Sequence, residues 1–243
     1  GEYSLQGETS KIDILKKFIN GNYYYRKLII PECSSSKEIF DIVNNNVFLM
    51  GNISKLPLEG TIFPDTYFFQ RNDDKNIIIS RMQRKMDKIV ASIWTNKNNL
   101  FKSQVDLINL ASLIEAEAMH DYEKYIISSV FHNRIEKGMK LQSDPTILYY
   151  KNLINKFKTR KIFKKDLLSD NPWNTYTRKG LPLTAICSPG MQALDAAMNP
   201  KKTSFLYFVA DGIGGHRFSN NYEEHLANIK LWKDKLGESN EIK

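Results

Sequence analysis

The nine residues Leu110-Ala-Ser-Leu-Ile-Glu-Ala-Glu-Ala118 constrain this chain more than any other stretch. They form an apolar, helix-compatible segment that carries two carboxylates where a helix of a folded protein ordinarily buries aliphatic side chains. At 3.6 residues per turn, Glu115 and Glu117 lie roughly 200° apart around the axis, so the two are not expected to point into one cleft. One is a candidate acid, and the other is expected to face solvent or to orient the helix. The helix should begin at Ser103, whose hydroxyl can cap it while Asp106 places an acidic side chain in the first turn. Leu107, Leu110, Ala111 and Ile114 form its expected buried stripe. A second helix is read over Tyr122 to Lys137, with Asp121 as its N-cap and Gly138 just past its end. After it comes a polar turn, Gly138 to Thr146, in which Pro145 biases Asp144 toward extended backbone. Together these pieces can form one wall of a cleft.

The flanking sequence divides into recognisable parts. A loose repeat opens the chain: Tyr3-Ser-Leu before Ser10-Lys-Ile-Asp-Ile-Leu15, then Leu28-Ile-Ile30 before Ser36-Lys-Glu-Ile-Phe-Asp-Ile42. Each copy reads as strand, turn and short capped helix, and Ser35-Ser-Lys-Glu38 fits a capping box. Turn-forming residues at 44–46 and 51–54 place a boundary near residue 55. Beyond it, Leu58 to Phe69 reads as an extended segment with a sharp turn, and Asn76 to Trp94 as a long amphipathic helix. The stretch from Asp170 to Gly190 is a long ordered loop or a set of turns. Ser204 to Ser219 is a hairpin, and the last helix is capped by Asn220 or Asn221, with Leu226, Ile229, Trp232 and Leu236 turned inward. With 42% apolar residues in 243, the chain can bury a substantial core. The expected class is α+β, with a small α/β subdomain at 1–55 and a mixed helical and hairpin domain at 56–243.

Charge, cysteine and metal patterns exclude little. A formal charge of +8 favours contact with polyanions without choosing among them. The run from Lys151 to Lys165 holds seven basic residues and no acidic one, with Phe157 and Phe163 among them; a solvated face is the commoner reading of such runs. Cys33 and Cys187 are far apart in sequence, which leaves both their pairing and the redox compartment open. Glu117-Ala-Met-His120 has the spacing of a di-metal helix, but a second copy is missing, so neither a metal nor another cofactor is expected. No run is long and apolar enough to span a bilayer.

The stretch Leu110 to Glu117, then Ser129-Val-Phe-His-Asn-Arg134, then Leu141-Gln-Ser-Asp-Pro-Thr146, resembles the endolytic murein transglycosylase family (MltG, or YceG-like proteins). Further motifs follow the same order: Glu59-Gly-Thr-Ile-Phe-Pro-Asp-Thr66 upstream, and downstream Trp173-Asn-Thr-Tyr176, Ser188-Pro-Gly190, Leu206-Tyr-Phe-Val-Ala-Asp211 and Gly214-Gly-His216. The resemblance implies a lyase of cell-wall biogenesis acting on peptidoglycan glycan strands. Such an enzyme cleaves the β-1,4 bond between N-acetylmuramic acid and N-acetylglucosamine without water, leaving 1,6-anhydro ends. It also implies wall synthases as partners and a LysM-like character for residues 1–55, for which a generic α/β packing unit without glycan affinity is an equal reading. The chain begins with Gly, and the resemblance implies a removed N-terminal anchor in the bacterial cytoplasmic (inner) membrane, with the catalytic body outside.

Carried over residue by residue, the resemblance puts the catalytic carboxyl at Glu115, serving first as the acid for the leaving oxygen and then as the base for the C6 hydroxyl; from spacing alone, an ion pair with a buried Lys or Arg is an equal reading. An acid at Glu115 needs an apolar setting that keeps it protonated. Gln142, Ser143 and Asp144 are expected to orient that carboxyl or to bind the acetamido groups, and Asn174 and Tyr176 to contact sugar. Asn133 either binds a sugar amide or supports buried backbone. Two rivals remain from other classes. One is a peptidoglycan-binding module that does not cut; the other is a nucleic-acid protein, which the motif order disfavours.

Overall fold

In the computed structural model, residues 1–7, 10–95, 100–155, 158–235 and 237 are described. In chain order the elements are α1 (Lys11–Ile19), β1 (Arg26–Ile29), α2 (Ser36–Asn44), β2 (Thr66–Phe69), α3 (Lys75–Ile93), α4 (Gln104–Glu117), α5 (Asp121–Glu136), α6 (Asp144–Ile154), α7 (Lys164–Leu168), α8 (Met191–Met198), β3 (Tyr207–Ala210), β4 (His216–Ser219) and α9 (Tyr222–Lys235). The class is α+β: helices dominate, and the two small sheets are antiparallel pairs.

Helix α4 is the axis of the larger core. Ser103 and Asp106 close a reciprocal capping box at its start. Every residue from Leu107 to Glu115 except Ile108 is buried, so the helix is enclosed on all sides and not along one stripe. It packs on α5 and α8. Ala193, Ala196 and Ala197 are fully buried on α8, and their small side chains let the two helices approach closely. Buried polar groups on α4 hold the loop 170–190, which has no regular structure of its own. Asn109 donates to the Pro182 carbonyl at 3.2 Å, and the Ser112 hydroxyl accepts the Ile186 N–H at 3.0 Å. Gly60 closes the other side of this contact: at φ +76, a Cβ there would lie 2.6 Å from Ala185 and 2.8 Å from Ile108.

A second cluster ties the N-terminal region to the segment from Ile62 to Met82. Strand β1 pairs antiparallel with β2, Leu28 opposite Tyr67, and Leu28, Ile30, Ile39 and Val43 pack with Ile62, Phe69, Ile78 and Met82. Apolar packing therefore continues across the boundary expected near residue 55. Cys33 and Cys187 form a disulfide, flanked by hydrogen bonds from Cys33 N to Ser188 O and from Ser188 N to Ser34 O, each 2.9 Å. These bonds fasten the segment after β1 to the loop that enters α8.

Several local expectations are corrected. Tyr3 to Leu5 is not a strand, so the first copy of the repeat lacks one; instead Tyr3 packs edge-on against Phe18 of α1, and the Ser4 carbonyl accepts from Lys17 Nζ at 2.7 Å. His120, not Asp121, occupies the N-cap position of α5, because the Asp121 carboxylate turns to Lys124. Asp144 is not extended but opens α6, with Pro145 in the first turn, where its missing N–H is harmless. Asn221 caps α9, yet Leu226 is exposed, while Ile229 and Trp232 line a cleft. Leu236 and Phe157 lie outside the described residues. The basic run is partly neutralised, since Lys151 pairs with Asp166 and Lys158 with Glu38. Among the described residues, no helix is long and apolar enough to cross a membrane.

The contrast between α1 and β1 sets an expected result. Ile12, Leu15, Phe18 and Ile19 of α1 are exposed, so its amides should exchange hydrogen orders of magnitude faster than those of α3. The paired amides of β1 should be protected like α3. Equal protection of α1 and α3 would show that the first twenty residues fold with the body.

Candidate active site

The C-terminal end of α4 carries both carboxylates into different surroundings. Glu115 is 9% exposed and fully engaged: Oε1 lies 2.8 Å from Lys124 Nζ, and Oε2 accepts the Gly190 N–H at 2.9 Å, at the N-terminus of α8. Lys124 itself is 3% exposed and also meets Asp121 at 2.9 Å and Glu32 at 3.7 Å. Burial alone would lower the Lys124 ammonium, but its carboxylate partners outweigh it and hold it above the ordinary lysine range. Burial, reinforced by Glu115, raises the Glu32 carboxyl. Glu115 thus has the ion-pair surroundings that its spacing left open.

Glu117 has the surroundings of an acid. It is half-buried, not solvent-facing, and it lines a cleft of about 580 Å³ between the 142–144 segment, the loop after Asn174, the β3–β4 hairpin and α9. The two carboxylates do not share a cleft, as their spacing implies, but it is Glu117 and not Glu115 that lines this one, together with Asp144. Burial pushes the Glu117 carboxyl up to about 7, and the nearby Asp144 charge adds to this. The Ser143 hydroxyl, donating to Oε1 at 2.6 Å, and the Arg134 charge act in the opposite sense. A carboxyl poised there is partly protonated at neutral pH and can give up its proton readily.

The remaining sequence candidates divide. Gln142, Asp144 and Tyr176 line the same cleft as Glu117, and the Tyr176 hydroxyl donates to Asp144 Oδ1 at 2.5 Å. Gln142 sits at φ +52, and its N–H donates to the Thr175 carbonyl, while Ser143 N–H reaches the Thr175 hydroxyl at 2.9 Å. These bonds stitch the two segments into one rim. Asn174 is buried within its own loop, where it donates to the Leu167 and Ser169 carbonyls and accepts from Tyr176 and Thr177 N–H. Asn133 likewise spends its amide on the Thr203 and Phe205 carbonyls. Both have the bonding of supports.

Sequence reasoning missed four contributors to the cleft. Arg134 is buried without a carboxylate at bonding distance among the described residues; it donates to Leu206 O and Leu141 O, each at 2.6 Å. Burial lowers its guanidinium. Tyr207 and Trp232 supply aromatic surface of the kind sugar faces favour. His216, at the hairpin, is also in the lining. The positions of Arg134, Tyr207 and His216 within the quoted motifs could have signalled these three.

Comparisons with known proteins agree with this architecture. The profile of the YceG-like family matches residues 1–231. A Bacillus subtilis (strain 168) protein named endolytic murein transglycosylase is 40% identical over 192 residues, covering 78% of this chain and 51% of its own length. A Streptococcus pneumoniae (serotype 2, strain D39) protein of the same name is 31% identical over 174 residues, covering 71% of this chain and 32% of its own. The chain therefore spans about half the length of the first relative and a third of the second. The crystal structure of a YceG-like protein from Listeria monocytogenes superposes with a TM-score of 0.67 at 30% identity, over 89% of this chain and 80% of that one. Profile, relatives and superposed fold converge on one assignment: the chain belongs to the YceG-like family.

Proposed function

We propose that this chain is the catalytic body of a peptidoglycan lytic transglycosylase that cuts glycan strands internally, with Glu117 as the acid. The observation that carries the reading is the Glu117 carboxyl, raised to about 7, in a cleft lined by Gln142, Asp144 and Tyr176. Glu115, first suggested by the resemblance, has neither the cleft nor a free oxygen for the task. Glu117 protonates the oxygen leaving the muramoyl C1, and the muramoyl C6 hydroxyl attacks that carbon in place of water. No second carboxylate is needed for this chemistry, whereas a hydrolase requires one to activate water or attack C1. Asp144 is the other carboxylate in the lining, and its Oδ1 accepts the Tyr176 hydroxyl. Gln142 and the aromatic wall then hold the sugars, and wall synthases are the expected protein partners.

The disulfide supports an extracytoplasmic location, since such bonds persist in oxidising compartments. In this reading the body is held at the cytoplasmic membrane by a segment outside this chain, and residues 1–55 are a LysM-like neighbour of the site. The test is product analysis. Digested glycan strands should end in 1,6-anhydro-muramic acid, which mass spectrometry separates from a reducing end by one missing water. Predominantly reducing ends would make the protein a hydrolase; glycan binding without shortening would make it a binding module.

A further inference from the structure

The hairpin tip contains a second proton-handling group that the acid assignment leaves unused. Both oxygens of Glu123, a buried residue in the first turn of α5, are turned to one histidine. Oε1 accepts the His216 backbone N–H at 2.8 Å, and Oε2 accepts from the ring Nδ1 at 2.9 Å. The neighbouring loop is shaped for this grip. Asp211 Oδ1 accepts the Ile213 and Gly215 N–H groups at 2.8 and 2.9 Å, and a Cβ on Gly215 would stand 3.0 Å from both Glu123 Oε1 and Asp211 Oδ2. Phe208 and Phe218 flank the ring, with centroids at 5.3 and 6.3 Å. While the ring is neutral, donation from Nδ1 to Glu123 leaves the lone pair on Nε2. Among the described residues, no hydrogen-bond partner is seen for Nε2, and His216 lines the same cleft as Glu117.

We infer that His216, oriented by Glu123, is the catalytic base that receives the proton of the muramoyl C6 hydroxyl. This rests on the reading of the cleft as a transglycosylase site. The C1–O4 bond breaks and O4 takes the proton carried by Glu117. The C6 oxygen bonds to C1, and its proton passes to Nε2, leaving an imidazolium paired with the Glu123 carboxylate. Neither water nor a redox partner is consumed. Exchange with solvent returns the proton from the ring to Glu117 before the next turnover. A carboxylate, an imidazole it orients and a substrate hydroxyl make up the relay by which oriented bases activate oxygen nucleophiles.

The experiment uses His216→Asn, whose side-chain amide keeps a donor toward Glu123 but has no Nε2. The expected result is a turnover at least ~100-fold below wild type with glycan affinity unchanged. Two readouts separate a base from a structural clasp. The fraction of reducing ends should rise, because water competes once the C6 hydroxyl is no longer activated, and added imidazole should restore cleavage to His216→Gly. A His216→Asn protein within threefold of wild type overturns the inference. So does a slow variant whose product ratio is unchanged and whose Gly counterpart imidazole does not rescue. Wild-type protein that leaves glycan uncut would instead overturn the proposed function. Loss of cleavage in Glu117→Gln but not in His216→Asn would remove only the base.

Discussion

Glu117→Gln is expected to abolish glycan cleavage, lowering the rate by about 10² to 10⁴ while glycan binding persists, since the amide keeps the shape but holds no acid proton. The wild-type pH profile should carry the same signature. An acid works only while protonated, so activity should fall as pH rises through about 7, where burial has placed this carboxyl. Stability should fall over an overlapping range. The carboxyl is raised from an ordinary 4.5 to about 7, so folding favours its protonated form, and that advantage is lost as pH climbs from 4.5 through 7. At pH 8 the folded protein carries a desolvated carboxylate that Gln does not. Glu117→Gln should therefore be more stable than wild type at pH 8, by about 3 kcal/mol, and nearly equal at pH 4. Melting curves at the two pH values read this directly. Full activity in a folded Glu117→Gln would remove the acid from this site.

The reason Glu117 is hard to see in the sequence is physical. Helical spacing separates Glu115 from Glu117, but α4 does not have one dry side and one wet side. Because α8 and α5 enclose the helix, a carboxylate turned away from one interior meets another, and the second interior is the cleft. Local signals are legible where local chemistry sets the structure. The capping box at Ser35, the N-cap at Ser103, the hairpin within Ser204 to Ser219 and the Asn221 cap of α9 all form as read. Failures occur where distant partners decide. Tyr3 to Leu5 has β-favouring residues but no strand to pair with, and the amides of Asn133 and Asn174 are claimed by carbonyls that only the folded chain brings near. Pro145 marks a boundary correctly, though as the opening of α6.

Lys124→Met should destabilise the fold by about 3 to 5 kcal/mol, the usual consequence of stranding a buried charge. Glu115, whose side chain is 6% exposed, would keep only the Gly190 N–H, and Asp121 and Glu32 would repel it at close range. Glu115→Gln should cost less, because the amide oxygen can still accept one bond and Lys124 keeps Asp121 at 2.9 Å. Combining the two replaces an ion pair by neutral groups of similar size, so the double variant should be more stable than Lys124→Met alone, a favourable coupling that a double-mutant cycle measures. Catalysis separates the two carboxylates further. Folded Glu115→Gln should cut glycan within about tenfold of wild type, because its helix end is still held by the α8 contact and only the loss of orientation is felt. A folded Glu115→Gln that is inert, beside an active Glu117→Gln, would return the acid to the ion-paired position. Lys124→Met within 1 kcal/mol of wild type, roughly the worth of an exposed pair, would show that water reaches the pair and that this junction does not hold α4, α5 and α8 together.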